Sequence, residues 1–404
     1  MCFTSTDAYD SLDPNGNITV KWDIKSWTPD GYIAIVTIYN FQKYRHIQAP
    51  GWQLGWTWAK KEIIWSAAGG QATEQGDCSK FKGSIPHCCK RDPFIVDLLP
   101  GTPYNQQVSN CCRGGVISSW VQDPEKAVSA FQITVGQAGT SNKTVRLPKN
   151  FTLKAPGHGY TCGPAMKGKP TKFLTPDGRR FTQALILSSE DTDLLCLTVL
   201  FLQQHNYKLS DLHMPDSPYL ASTLLSSGKD DDSPVVRCTK HMCPIRVHWH
   251  IKTNYKAYWR VKITITNFNY KMNYSQWNLV VQHPSFENLT QIFSFNYEPL
   301  LPYGSINDTA MFWGIQYYND QLMQGGPSGN VQSEIILQKD KLKFTFEKGW
   351  AFPRKVYFNG DNCVMPPPDA YPYLPNASAY SRLTLLHSLV AILVSLVLLY
   401  SHNL

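Results

Sequence analysis

Two tryptophans placed two residues apart, Trp56 and Trp58, are the side chains in this sequence whose type and spacing best suit ligand binding. Flat aromatic rings match the apolar faces of sugar rings, and ordering them costs little side-chain entropy. Alternate residues of a strand share one face and lie roughly 6.7 Å apart, so the two indoles would contact successive sugars of a glucan. Tyr39, Tyr44 and Trp52 would extend this platform. The alternative is that these tryptophans fill a β-sandwich core.

Two histidines are the best candidates for metal ligands. His248 and His250 lie on the same face of a predicted strand, between Arg246 and Lys252. Because no third ligand is suitably spaced, the row predicts a solvated basic face rather than a zinc or copper site. We therefore predict no metal and no cofactor.

Catalytic motifs are absent from the sequence. There is no Gly-x-Ser-x-Gly elbow, no His-Glu-x-x-His and no phosphate-binding loop. A glycosidase needs two carboxyl groups that flank a cleft, and the candidates are Glu62, Glu74 and Asp77. Sequence alone cannot bring them together, so we predict a protein without catalytic residues.

The strands that would position these residues occur twice in the chain. Ile18 to Lys25 alternates apolar and polar residues, and Ile245 to Lys252 repeats it. Val36 to Phe41 returns as Ile263 to Phe268 at the same offset of 227 residues. A shared β-strand alphabet is the alternative explanation, but the constant offset favours duplication. We predict an all-β fold of two related β-sandwich-like modules, in which Trp22 and its repeat belong to the cores.

Composition limits the class of protein. A chain of 404 residues is long enough for two or three domains. Aromatic residues at 13% and charged residues at 17% are typical of a β-rich extracellular protein. The net charge of +8 is spread along the chain without a Lys/Arg block, so we predict no binding to nucleic acid.

Cysteines and glycosylation sequons indicate the secretory route. The chain has 11 cysteines, including the adjacent pairs Cys88-Cys89 and Cys111-Cys112, and no Cys-x-x-Cys zinc spacing. Disulfides in an oxidising compartment are therefore predicted. The predicted N-glycosylation sites are Asn17, Asn142, Asn150, Asn273, Asn288 and Asn307.

The C-terminus has the order of a signal for a glycosylphosphatidylinositol (GPI) anchor. Asn376 precedes the small residues Ala377 to Ala379, a short polar spacer follows, and Leu383 to Tyr400 is apolar. We predict attachment at Asn376; the alternative is a single membrane-spanning helix. No signal peptide is visible at the N-terminus, so we expect the natural chain to begin further upstream.

The predicted organisation has six parts. They are a residual leader at 1–8, an N-terminal β-module at 9–165, an irregular linker at 166–237, a C-terminal β-module at 238–365, a Pro-rich stalk at 366–376 and a GPI-attachment propeptide at 377–404. Within the linker, Ser189 to Leu202 is predicted to start as an acidic helix and to continue as an apolar run. The hydrophobic tail ends the chain.

Several long motifs resemble the plant COBRA-like family. They are Trp56 to Trp65, Gln71 to Cys78, His241 to Trp249, Tyr258 to Phe268 and Lys348 to Arg354. The family's cysteine-rich centre, with its Cys-Cys-Val-Ser motif, should follow Phe181 to Leu185, and a different segment stands there. Without Cys2 and Cys196, nine cysteines remain, so at least one thiol is expected to lack its usual partner.

The resemblance implies a glycosylated, GPI-anchored protein with a cellulose-binding region in its N-terminal part. It would act in cellulose deposition, microfibril orientation and oriented cell expansion, at the outer face of the plasma membrane and in the cell wall. Its expected partners are cellulose or another β-1,4-glucan, the membrane through the GPI lipid, and the cellulose-synthesising machinery. A wall-glucan hydrolase or transglycosylase, and a receptor-like adhesion module, are the alternatives.

Overall fold

The computed structural model describes an all-β protein. The described residues are 10–141, 143–156, 159–163, 171–174, 181–183, 193–199, 245–270, 272–339 and 351–365. They form twenty-one strands in four antiparallel sheets, which confirms the predicted fold class. Short 3-10 helices are the only helices among them, at Tyr104–Gln106, Pro284–Asn288, Gln316–Asn319 and Gln321–Met323.

The N-terminal module is built on a ten-stranded sheet with the order β4-β7-β2-β1-β12-β9-β8-β3-β6-β5. Its strands are β1 Ile18–Thr28, β2 Gly31–Asn40, β3 Gln53–Thr57, β4 Ile63–Ala68, β5 Gly70–Ala72, β6 Phe94–Asp97, β7 Val128–Gly136, β8 Lys149–Lys154, β9 Gly159–Cys162 and β12 Asp193–Val199. A separate hairpin joins β10 Lys172–Leu174 to β11 Phe181–Gln183. Val36 of β2 and Leu54 of β3 share one core, so the sheet folds over on itself as a sandwich.

The C-terminal module is a sandwich of two separate sheets. Their strands are β13 Ile245–Asn254, β14 Tyr258–Asn267, β15 Leu279–Gln282, β16 Leu289–Ile292, β17 Phe295–Pro299, β18 Thr309–Gly314, β19 Asn330–Gln338, β20 Lys355–Phe358 and β21 Asp361–Asn362. The four-stranded sheet has the order β13-β14-β19-β16, and it packs against the five-stranded sheet, which has the order β17-β18-β15-β20-β21. Ile263 from the first sheet and Phe312 from the second are fully buried in the common core.

The predicted duplication is visible residue by residue. Ile18 pairs with Asn40, and Ile245 pairs with Asn267 at the offset of 227. Each pair of strands also has a bulge at the same place, between Ile24 and Ser26 in β1 and between the corresponding residues of β13. Duplicated sequence has therefore kept duplicated register.

A buried asparagine ends the second strand of each copy in the same way. The side-chain amide of Asn40 donates to the carbonyl oxygen of Arg45 at 2.8 Å, and that of Asn267 donates to the carbonyl oxygen of Met272 at 3.0 Å. Each side-chain oxygen accepts the backbone N–H two residues on, which for Asn267 belongs to Asn269. These bonds satisfy backbone N–H and carbonyl groups of the loop after the strand, which would otherwise have no partner when buried. This explains why both copies contain asparagine here.

The two modules pack against each other through a mixed contact. Its apolar part is a cluster of Leu12, Tyr44, Val280, Leu300 and Met311. Its polar part includes the amide of Asn278, which donates to the carbonyl oxygen of Tyr44 at 2.6 Å. Ser118 of the N-terminal module also donates to the side-chain oxygen of Gln276 at 2.7 Å. Buried polar groups paired across a contact fix its geometry, so the modules hold a defined relative orientation.

One prediction for the linker is wrong. Asp193–Val199, expected to lie in a helical segment, forms strand β12 and pairs with both β1 and β9. Its apolar run has the length of a strand, and periodicity alone does not separate the two structures over so short a run. The stalk, the GPI-attachment region and Asn142 lie outside the described residues. Among the residues that are described, no helix is long and apolar enough to cross a membrane.

Candidate functional site

The structure places the predicted indole platform inside the protein. Trp52, Trp56 and Trp58 are only 1%, 2% and 1% exposed. Trp56 and Trp58 contact Trp22 edge-on, with ring centroids 5.2 and 6.2 Å apart. The prediction that these indoles face a ligand is therefore wrong, and the alternative of a core role holds. The strand face that carries them points into the sandwich, where their large apolar area is removed from water.

Tyr44 is likewise not a surface residue. Its ring is fully buried in the contact between the modules, and its hydroxyl donates to Asp10 at 2.5 Å. Burial raises the pKa of Tyr44 far above its ordinary value. Burial would also raise the pKa of Asp10, but the charge of Arg45 and the hydrogen bonds from Tyr44 and Arg45 outweigh it and lower that pKa. The predicted contact between Tyr44 and a sugar is therefore wrong, and the residue anchors the interface.

Tyr39 is the one member of the predicted platform that lies near the surface. It is half-buried in β2, and its ring is parallel to that of Phe41, with 5.6 Å between centroids and 4° between planes. Parallel rings touch at about 3.5 Å, so this spacing implies a sideways offset of about 4 Å. Phe41 next contacts Trp120, with centroids 5.0 Å apart and planes at 53°. We call Tyr39, Phe41 and Trp120 the aromatic row.

The aromatic row is accessible, and the backbone of its two exposed residues is hydrogen-bonded to neighbouring segments. Phe41 is 37% exposed and Trp120 is 38% exposed. The backbone N–H of Phe41 donates to Asn17, and that of Trp120 donates to Gln42, both at 2.9 Å. More than a third of each of these two side chains is therefore open to an apolar ligand surface. The arrangement therefore suits a planar ligand with apolar faces and polar edges.

Sequence reasoning missed Phe41 and Trp120. Phe41 directly follows the end of β2, one residue beyond the buried Asn40, and strand alternation carried one residue further would have placed it beside Tyr39. Trp120 lies 79 positions further along the chain, so only the fold brings the two together. The repeat contained the available signal. Phe41 corresponds to Phe268, whose ring is covered by the cation of Arg246 at 5.0 Å. The N-terminal copy has Thr19 in place of that arginine, so no cation at that position covers the ring of Phe41.

The predicted glycosylation sites differ in how well the structure suits them. Asn150 and Asn273 are exposed, as an acceptor must be. Asn17 is half-buried, and its amide donates to the carbonyl oxygen of Asn15 at 3.1 Å. Asn307 fits worst, because its side-chain oxygen is buried and its amide is directed at Phe286. The side chains of Asn142 and Asn288 are not described.

The cysteines form disulfides, as predicted. Bonds join Cys78 to Cys89 and Cys111 to Cys112. Among the described residues, free thiols are present at Cys88, which is buried, and at Cys363, which is half-buried. Burial raises the pKa of both thiols, to about 12 for Cys363, so neither is an activated nucleophile.

The carboxylates that were candidates for a glycosidase have structural contacts instead. Glu62 is buried and accepts the backbone N–H of Lys60 at 2.6 Å. Glu74 forms an ion pair with Lys90, and Asp77 accepts the backbone N–H of Ser79 at 3.0 Å. Nor does the described part of the chain hold a group of three or more His, Cys, Asp or Glu that could bind a metal ion.

The fold and the site together describe an all-β protein class: a duplicated pair of β-sandwiches that contains disulfides and carries an exposed aromatic row. The COBRA N-terminal domain matches residues 32–188, and the COBRA family C-terminal domain matches residues 211–372. The chain is 64% identical to "COBRA-like protein 1" of Oryza sativa subsp. japonica, over 98% of this chain and 94% of that protein. It is 63% identical to "Protein COBRA" of Arabidopsis thaliana, over 94% and 89%. The chain belongs to the COBRA family.

Proposed function

We propose that this protein is a GPI-anchored cell-surface glycoprotein that binds β-glucan without cleaving it and acts in cellulose deposition. The observation that carries the proposal is the aromatic row on the N-terminal module. β-Glucan has apolar faces above and below each sugar and hydroxyl groups at the edges. The ring centroids of the row are 5.6 and 5.0 Å apart, and these distances are comparable with the length of one sugar residue.

The row is large enough to support useful affinity. Stacking a nucleobase on an aromatic side chain is worth about 1–3 kcal/mol; with the same range for a sugar face, two exposed rings would contribute roughly 2–6 kcal/mol. Because Phe and Trp side chains have only two χ angles, little side-chain entropy is lost when a ligand orders them. Anchoring many copies in one membrane would add avidity on a polymer that contacts several of them.

Location at the outer face of the plasma membrane is supported by the C-terminal sequence. The order of Asn376, small residues, spacer and apolar tail is that of a GPI signal. In this arrangement the Pro-rich stretch holds the two modules away from the bilayer. Binding near the membrane would place nascent glucan beside the cellulose-synthesising machinery, and it would influence microfibril orientation and oriented cell expansion.

The direct test is retention of the full chain on crystalline cellulose and on soluble cello-oligosaccharides. Phe41→Ala/Trp120→Ala should weaken binding about 30-fold or more, from the loss of roughly 2 kcal/mol or more. The matched control is Tyr104→Ala/Tyr303→Ala, which removes two exposed rings, 90% and 56% exposed, from outside the row. The control should bind as the unaltered protein does.

Two outcomes would refute the proposal. Equal binding by Phe41→Ala/Trp120→Ala and its control would remove the row from the binding site. Release of new reducing ends from the glucan would favour the hydrolase alternative. The anchor is tested separately by treating cells with phosphatidylinositol-specific phospholipase: release of the protein into the medium supports it, and retention in the membrane supports a spanning helix.

A further inference from the structure

The outer face of the four-stranded sheet in the C-terminal module carries a row of cations. Along β13, Arg246, His248, His250 and Lys252 are all exposed, while Ile251 is buried in the core. The sequence prediction of a solvated basic face is confirmed. Among the described strands, β13 is the edge of its sheet.

Three cross-strand rows continue that face across the sheet. They are Arg246-Thr266-Asn330, His248-Thr264-Gln332 and His250-Lys262-Glu334. Residues directly opposite each other in antiparallel strands lie on the same face. In the first two rows the face therefore changes from cations on the edge strand to threonine hydroxyls on β14 and amide groups on β19, and the third row ends in the carboxylate of Glu334.

The charge on this face is only partly neutralised. Glu334 forms ion pairs with Lys252 at 2.7 Å and with Arg260 at 2.5 Å. Arg246 lies over the ring of Phe268. Partial burial, followed by the charges of His250, Arg246 and Lys262, holds the pKa of His248 below its ordinary value. Positive potential is thus concentrated at the edge strand beyond what Glu334 balances.

The inner end of the same face opens into a polar cavity. Its volume is about 510 Å³, and the residues that line it include Tyr318, Gln321, Gln324, Ser328, Asn330 and Gln332. Asn330 and Gln332 hold each other through a bond of 3.1 Å between the amide of Gln332 and the oxygen of Asn330. The side chains named here are neutral groups that donate or accept hydrogen bonds, which suits the hydroxyl groups of a sugar.

We propose that this face binds an acidic polysaccharide, a polymer whose sugars carry carboxylate groups. Sugar hydroxyls would lie in the amide-lined cavity, and uronate carboxylates would pair with Arg246, His248, His250 and Lys262. Neighbouring strands are about 4.8 Å apart, so β13 and β19 are roughly 10 Å apart and a ligand of a few sugars reaches from cavity to edge. A neutral glucan would leave the cations unpaired.

The duplicated scaffold explains how two ligand classes fit one protein. Arg246, His248 and His250 correspond to Thr19, Lys21 and Asp23 of the N-terminal copy. Asp23 is buried and accepts the hydroxyl of Thr171 at 2.6 Å, so only Lys21 supplies a cation at these three positions. The N-terminal copy of this face therefore carries less positive charge than the C-terminal copy. This inference does not require the aromatic row to bind glucan.

The test measures binding of the full chain to polygalacturonate, with fully methyl-esterified polygalacturonate as the uncharged comparison. Arg246→Gln/Lys262→Gln should weaken binding to the acidic polymer about tenfold. Lys61→Gln/Lys82→Gln removes two exposed cations from the N-terminal module and should change nothing. Added salt should weaken binding, because the paired charges are exposed.

The histidines give a second readout. His248 and His250 face Arg246 and Lys252 on β13, Arg260 and Lys262 on β14, and Glu334 on β19. A protonated imidazole at His248 adds positive charge, so affinity for the acidic polymer should rise as the pH falls from 7 to 5. His248→Gln should abolish that rise. An unchanged rise in this variant would overturn the assignment.

Three further results would overturn the proposal. One is equal binding of the esterified and acidic polymers, and another is equal weakening by the Lys61 and Lys82 control. The third is binding to phosphatidylserine vesicles, lost in Arg246→Gln/Lys262→Gln, without binding to polygalacturonate. Failure here is separable from failure of the glucan proposal, because Arg246→Gln/Lys262→Gln should keep full retention on cellulose.

Discussion

Trp56 is a core residue, and its removal should destabilise the fold rather than disturb a ligand site. Its side chain is 2% exposed and lies among Trp22, Trp58 and Phe131, with centroids 5.2, 5.4 and 6.5 Å away. Burying a tryptophan removes up to about 250 Å² from water, which at about 25 cal/mol per Å² is worth about 6 kcal/mol.

The net cost of Trp56→Ala is smaller than that gross value. Alanine keeps part of the buried area, and the indole Nε1 has no acceptor among the described residues, so its removal also ends a penalty of about 1–3 kcal/mol. We expect the free energy of unfolding to fall by about 3–5 kcal/mol, as for other large-to-alanine changes in cores. Trp56→Phe keeps most of the packing and loses the unpaired N–H, so it should cost less than about 1.5 kcal/mol.

Urea unfolding followed by circular dichroism measures these differences. Trp120→Ala is the matched control, because Trp120 is 38% exposed, and its cost should stay below about 1 kcal/mol. Cellulose retention must be compared on folded protein only. If Trp56→Ala kept the urea midpoint of the unaltered protein and still lost cellulose binding, Trp56 would have to be exposed, and the assignment of the sandwich core would be refuted.

Two other predictions concern buried polar groups. Asn267→Asp places a carboxylate against the carbonyl oxygens of Met272 and Leu322, to which the amide now donates at 3.0 and 2.9 Å. Thermal unfolding should show a loss of stability of about 2–4 kcal/mol. As the control, Asn15→Asp at an exposed position should change stability by less than about 0.5 kcal/mol. His46 has its pKa lowered to about 4 by burial, so the unfolded chain binds the proton more readily and stability should be lost as the pH falls from 6.5 towards 4. His46→Gln should reduce that loss in melting experiments across this range, and an equal loss in both proteins would contradict it.

The duplication and the strand pairing were determined by the sequence itself. Alternation from Ile18 to Lys25 and its repeat 227 residues later predicted one scaffold built twice, and the register agrees down to the bulge. The basic face on β13 was also predictable, because Arg246, His248, His250 and Lys252 alternate with apolar residues and alternate residues of a strand share one face. The prediction failed at Asp193–Val199, since an apolar run of seven residues fits either a strand or a helix.

Which face of a strand meets water was decided only by the tertiary structure. The sequence correctly placed Trp56 near Trp58, but it could not show that the sheet folds over and buries both against Trp22. Phe41 and Trp120 become neighbours because the chain returns after 79 residues to donate a hydrogen bond to Gln42. Local periodicity determines which residues share a face, whereas burial depends on what packs against that face, and those partners come from distant parts of the chain.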